Sequence, residues 1–326
     1  MSRALELAFS FEPECLTGNE LVSIVVDTNF MVPAEIMLDR EIPYRTTFEP
    51  HHLQSIRSAH RPIHVALTTS GGILYDGGPY LHLISIERYQ CLYIRFSDVD
   101  RIPLDLLNSL SCKAGFRAGT CHDSWDTFWQ GEHDIECFKR HRRSYEHLPQ
   151  AWDDDLKVWG VDISRNPARR HGIADMWLQA AWRMWFGEEA FKHIPKEVLL
   201  SFPDAQEITT LPCGTVFIQL FDDPFAFDTP ENRRRQQAFL DHVQMDLVVE
   251  KDNSEVYGDC HYEQHEGNFE YGGTLRSIRW TNDEGKTVLR SRATQMEIRE
   301  FVNDKLIKRW FEPAPRTKDD NAVPPS

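Results

Sequence analysis

No run of eighteen or so apolar residues occurs in the chain, so no membrane-spanning helix is expected. Met1 to Phe11 breaks its short apolar stretches with Glu6, and Glu12 follows at once, which leaves no continuous hydrophobic region of the kind a signal peptide needs. A soluble, cytoplasmic protein is expected. The seven cysteines (Cys15, Cys91, Cys112, Cys121, Cys137, Cys213 and Cys260) contain no CxxC pair, and an odd number in a long chain suggests no disulfide framework. Reduced, mostly buried thiols are expected in its place. Basic residues are also in deficit: 36 Lys and Arg against 51 Asp and Glu give a net charge of −15. Such a field repels nucleic acid and attracts basic surfaces, which argues against direct DNA binding. The acid is regional, with nine acids against three bases in residues 1–50 and nineteen against eleven in residues 146–253.

Nucleotide and nucleophile motifs are missing as well. Gly71-Gly72 and Gly77-Gly78 bracket Ile73 to Asp76, but no Gly-Lys-Ser/Thr follows and no Gly-x-Gly-x-x-Gly spacing is present, so the pairs read as turns. There is no Gly-x-Ser-x-Gly elbow and no cysteine in a recognisable nucleophile setting. The expectation is a protein that is not an enzyme and uses no cofactor.

What the chain does have is ample core material: 41% hydrophobic and 11% aromatic residues over 326 positions, enough for one large domain or two units. Leu21–Val26, Ile63–Thr68, Leu81–Ile86 and Cys91–Phe96 are short β-branched or aromatic runs between turn residues, as strands are. Pro103–Leu110 carries apolar residues at helical spacing. Seven of the nine tryptophans fall between Trp125 and Trp185. Trp177, Ala181, Met184 and Trp185 stand at i, i+4, i+7 and i+8, the stripe of an amphipathic helix that Gly187 would end. Thr215–Phe221 reads as a central strand buried on both faces and closed by Asp222, Asp223 and Pro224. Thr229-Pro230-Glu231 supplies a cap, a first-turn proline and a dipole-complementing acid, so a helix is expected from Pro230 to about Val243. Asn282–Gly285 and Asn303-Asp304 are turn signals within a β-meander over Tyr271–Glu312, and Pro313–Ser326 reads as a mobile tail. These signals together predict an α+β fold: an N-terminal mixed or antiparallel sheet with packed helices over 1–253, a β-rich unit over 254–312 and a tail over 313–326.

Three clusters invite chemistry. His133, Cys137 and His141 stand at i, i+4 and i+8, so a helix would gather them beside Asp134 and Glu136 as zinc ligands for a metal-dependent hydrolase. Against that, Arg140, Arg142 and Arg143 crowd the same face with positive charge. Pro203-Asp204 and Glu284-Gly285-Lys286 mimic the Pro-Asp and Glu-x-Lys elements of metal-dependent nucleases, but Asn282–Gly285 is turn chemistry, not a core strand. Asp153-Asp154-Asp155, with Trp152 and Trp159 around them, and Asp222-Asp223 are candidates for a partner-facing acidic and aromatic surface. Arg233-Arg234-Arg235 reads as a solvated helix face that pairs with nearby carboxylates.

Trp185-Phe186-Gly187, Ile194-Pro195-Lys196-Glu197-Val198-Leu199-Leu200-Ser201-Phe202-Pro203, Val216–Phe221, Asp222–Asp228 and then Asn232, Gln236, Gln237 and Phe239 follow one another in an order that resembles the bacterial immunity family numbered fifty-two. The resemblance covers about sixty residues, Trp185 to Asp246, and the first 250 in outline. It implies an α+β protein that shields a bacterium from a polymorphic toxin of restriction-endonuclease type, delivered by a type VI secretion system. It carries no catalytic residues, and the meander after Asn253 lies outside it. The expected partner is a basic toxin nuclease domain, bound without catalysis.

Overall fold

The computed structural model describes residues 4–38, 42–58, 64–69, 78–85, 88–96, 104–153, 158–164, 166–257, 263–266, 274–285, 293–302 and 305–314. The fold is α+β, and the chain divides into two compact units, Met1–Asp246 and Leu247–Ser326.

The first unit is built on one ten-stranded sheet whose pairings are all antiparallel. Its strands in chain order are β1 (Leu5–Phe11), β2 (Glu35–Leu38), β3 (Ile42–Thr47), β4 (His64–Thr68), β5 (Tyr80–Ser85), β6 (Gln90–Phe96) and β7 (Phe116–Asp123). Two strands outside the sheet, β8 (Gln150–Asp153) and β9 (Val158–Val161), form a hairpin of their own, as do β10 (His171–Ile173) and β11 (Met176–Leu178). The sheet is completed by β12 (Arg183–Phe186), β13 (Glu207–Thr210) and β14 (Val216–Gln219). Across it the order is β13-β14-β12-β7-β1-β6-β5-β4-β2-β3. β1 lies in the middle, and all seven of its residues are buried, so both sheet faces are covered there. Gly119 lies opposite Phe9, and a Cβ at Gly119 would fall 2.1 Å from the Phe9 ring; the glycine is the space that the ring occupies.

The helices of this unit are α1 (Gly18–Thr28), α2 (His52–Ser58), α3 (Leu104–Ser111), α4 (Ser124–Gly131), α5 (Ile135–Arg140), α6 (Lys196–Leu200) and α7 (Pro230–His242); α3 and α4 pack on β7, α6 on β14 and α5 on β9 outside the sheet. α7 follows its local signals: Thr229 caps the amide of Asn232, Pro230 occupies the first turn, and Val243 closes the helix.

Four expectations are corrected. Leu21–Val26 is helix, not strand. Thr17 and Glu20 cap each other's backbone in a capping box, and the buried positions Leu21, Val22, Ile24 and Val25 follow a helical period despite their β-branched character. Trp177–Trp185 is not a helix but parts of β11 and β12: Met176 and Leu178 are buried on either side of exposed Trp177, and Met184, Trp185 and Phe186 are buried in succession, so one short alternation and one buried strand imitated a helical stripe. Thr215–Phe221 is not a central strand. β14 is penultimate, with Val216 and Ile218 buried and Phe217 half-buried. Finally, Cys112 and Cys213 are joined in a disulfide that ties the end of α3 to the turn before β14. A partner 101 residues away cannot be read from spacing. Cys91, Cys121 and Cys137 are buried free thiols and Cys15 is half-buried, while Cys260 lies outside the described residues.

The second unit opens near α8 (Met245–Tyr257) and holds an antiparallel meander, β15 (Glu263–Glu266), β16 (Thr274–Thr281), β17 (Gln295–Val302) and β18 (Lys305–Pro313). The turn after β16 is as expected: Asn282 receives the amides of Gly285 and Glu284, and Gly285 has φ +74°. Gly71–Gly77, Asn303-Asp304 and the tail from 315 lie outside the described residues.

Candidate functional site

The first candidate is the β8–β9 hairpin. Trp152 and Trp159 are directly opposed across it, their rings edge to face with centroids 5.7 Å apart. They are 44% and 40% exposed, among the most exposed large hydrophobic side chains of the unit. The hairpin is held at its base. Val161 donates its amide to His133 O at 2.9 Å and Asp162 to Pro149 O at 2.8 Å, while the Val161 side chain joins a core of Trp129, Cys137 and Phe138. Gly160 lies so close to this base that a Cβ would meet His133 O at 2.9 Å. Two aromatic rings are thus presented outward from a fixed support. Asp153 ends β8, and Asp154 and Asp155 lie outside the described residues. Asp222 and Asp223 are exposed on a different element, the turn after β14, where Asp223 Oδ1 receives the Phe225 amide at 2.9 Å.

The proposed zinc face does not form. α5 spans only Ile135–Arg140, with Asp134 as its N-cap and His141 as its C-cap, so His133 precedes the helix altogether. Cys137 is buried in the aromatic core, and the His141 ring lies 5.5 Å from that of Trp129. Burial and the neighbouring Glu132 carboxylate push the Cys137 thiol up, away from the thiolate a metal requires. Among the described residues no group of three or more His, Cys, Asp or Glu could hold a metal ion.

The second candidate, which sequence reading missed, is a row of polar side chains running through the middle of the sheet. Tyr80 on β5 is paired with Arg95 on β6, Arg95 with Glu6 on β1, and Glu6 with His122 on β7. All four are buried. Tyr80 Oη donates to Glu6 Oε2 at 2.5 Å, and Arg95 Nη2 donates to the same oxygen at 3.2 Å. Arg170, from the loop before β10, adds its Nη2 to Glu6 Oε1 at 2.5 Å.

His122 Nε2 stands 3.6 Å from Glu6 Oε1 and 3.0 Å from Arg170 Nη2. Burial pulls its pKa down to about 4, so the ring is neutral at pH 7. A neutral ring with its proton on Nδ1 accepts from Arg170 over the shorter distance and faces Thr120 Oγ1 at 3.4 Å on its other side. Burial pushes the Glu6 carboxyl up, but the charge of Arg170 and the hydrogen bond from Tyr80 reverse this and hold it well below the ordinary carboxylate range. The row is a buried anion compensated by two guanidinium groups.

Above the row opens a pocket of about 540 Å³, walled by α4 through Trp125, Thr127 and Phe128 and by Ile163, Arg169 and Arg170 of the facing loop. Comparison with family models, with curated proteins and with solved structures finds no match for this chain.

Proposed function

We propose that this protein is an immunity protein, a non-catalytic cytoplasmic binder that neutralises a toxin by covering it, the toxin being a basic nuclease domain of a type VI secretion effector. The observation that carries the reading is the Trp152–Trp159 pair, two exposed aromatic rings on a hairpin whose base is fixed in the core. Tight inhibitors anchor on rigid aromatic side chains, because such groups bury large area and lose little conformational freedom. The net charge of −15 complements the positive groove that a nuclease needs for phosphates, and would speed the encounter. Asp153-Asp154-Asp155, next to Trp152 in sequence, and Asp222-Asp223 are the acids assigned to that encounter. The Cys112–Cys213 bridge counts against the cytoplasmic placement and not against the binding role, since the cytosol rarely keeps such a bond oxidised.

Association kinetics between this protein and the product of the neighbouring gene test the reading. The association rate should fall as salt rises to physiological strength, where the Debye length is about 8 Å. Replacing Asp153, Asp154 and Asp155 together by Asn should slow association, and Trp152→Ala with Trp159→Ala should raise the dissociation rate. A complex indifferent to salt and to both variants would remove the hairpin from the interface.

A further inference from the structure

The pocket above the buried row has the opposite electrical character to the rest of the protein. Three guanidinium groups, Arg95, Arg169 and Arg170, line it against two carboxylates, Glu6 and Glu132, in a chain of net charge −15. Glu6 is fully committed: its two oxygens receive Tyr80, Arg95 and Arg170. Among the described residues the Arg169 guanidinium makes no hydrogen bond, and Nε of Arg169 and of Arg170, themselves sealed from solvent, have no partner. Asp162 and Asp246 act on Arg169 through space, but the cost of its burial outweighs them. Trp125 and Phe128 of α4, with Ile163, make part of the pocket wall apolar. Its volume, about 540 Å³, is that of an ordinary small-ligand site.

We propose that this pocket binds a small organic anion, an aromatic ring bearing one carboxylate or phosphate group. The anionic head meets Arg169 and the outer edge of Arg170, and the ring lies against Trp125 and Phe128. A guanidinium with unused donors recognises such oxygens geometrically, and the aromatic wall excludes fully hydrated inorganic ions. Nothing in this site touches the Trp152–Trp159 hairpin's role, so either assignment can stand or fall alone.

Isothermal titration calorimetry on the full chain with benzoate, phenyl phosphate and neutral benzyl alcohol provides the test. At least one of the two anions should bind saturably at millimolar concentration or below, and benzyl alcohol at least about tenfold more weakly. Tighter binding of benzoate identifies a carboxylate ligand, and tighter binding of phenyl phosphate a phosphate one. Arg169→Gln should weaken the preferred anion by about tenfold or more, since it deletes a charge-assisted contact outside the Glu6 row. Gly131→Leu is a second variant: Gly131 lines the pocket and a Cβ there meets nothing within 4 Å, so a leucine is accommodated at the pocket's edge and should weaken binding by narrowing it. Thermal melts of both variants establish that they are folded. The proposal is overturned by silence from both anions at millimolar concentration, by equal affinity for benzyl alcohol, or by binding that neither Arg169→Gln nor Gly131→Leu weakens in folded protein.

Discussion

Arg233 and Asp126, 107 residues apart in sequence, form a two-point ion pair that ties α7 to α4. Arg233 Nη1 donates to Asp126 Oδ2 at 3.0 Å, and Nη2 donates to Oδ1. Asp126 is buried and Arg233 mostly so. The Arg233–Arg235 run thus pairs with carboxylates as its sequence suggests, but it is not a solvated face. Only Arg234 is well exposed, and its contact with Asp204 is 3.9 Å long. Arg233→Ala strands a buried carboxylate and should lower unfolding free energy by about 3 kcal/mol. Arg234→Ala should stay within about 0.5 kcal/mol of wild type. Urea denaturation of the two variants separates them, and equal losses would contradict this assignment.

Glu6 is the anion that two buried or half-buried guanidinium groups share, so the neutral, equally sized Glu6→Gln leaves both uncompensated. A loss of about 3–5 kcal/mol is expected. An unchanged denaturation midpoint would mean that the row does not contribute to stability.

Acid should unfold the protein early. His122 and His171 are buried, and burial pulls each pKa from 6.5 down to about 4. The unfolded chain therefore binds more protons than the folded one between those values, and stability falls as pH drops from about 6.5 towards 4. Glu6, held below its ordinary range, extends the loss below pH 4.5. Thermal melts across pH 7.5 to 4 should show a falling Tm, and replacing His171 by Gln should flatten the upper part of the curve. A Tm constant down to pH 4.5 would contradict the burial of these rings as neutral groups.

β14 gives a graded test of the sheet. Ile218 is fully buried, whereas Phe217 is half-buried, with its ring 5.3 Å from that of Trp185. Ile218→Ala should cost about 2–5 kcal/mol, and Phe217→Ala less than Ile218→Ala. The reverse order would show that the strand is turned over.

What was legible in the sequence was local. Thr229 and Pro230 start α7 because a cap and a fixed φ act within one turn, and β4 to β6 announce themselves through β-branched runs between turns. α1 was obscured because Val22, Ile24 and Val25 favour strands in isolation, and the Thr17–Glu20 capping box decides otherwise. The aromatic pair of the hairpin was within reach, since Trp152 and Trp159 flank a short acidic stretch of sequence. The polar row was not. Glu6 and Tyr80 lie 74 residues apart, Glu6 and Arg95 89, and only the sheet register brings them together. A lone Glu inside Leu5–Phe11 was the one available signal, an acid in an otherwise apolar central strand.

DNA cleavage by the neighbouring gene's product, titrated with this protein, tests the proposed inhibition by covering. Cleavage should fall to background at about one molar equivalent, as expected of a tight stoichiometric complex. Trp152→Ala combined with Trp159→Ala should demand a large excess for the same effect. Cleavage that persists in the presence of excess wild-type protein would contradict the claim.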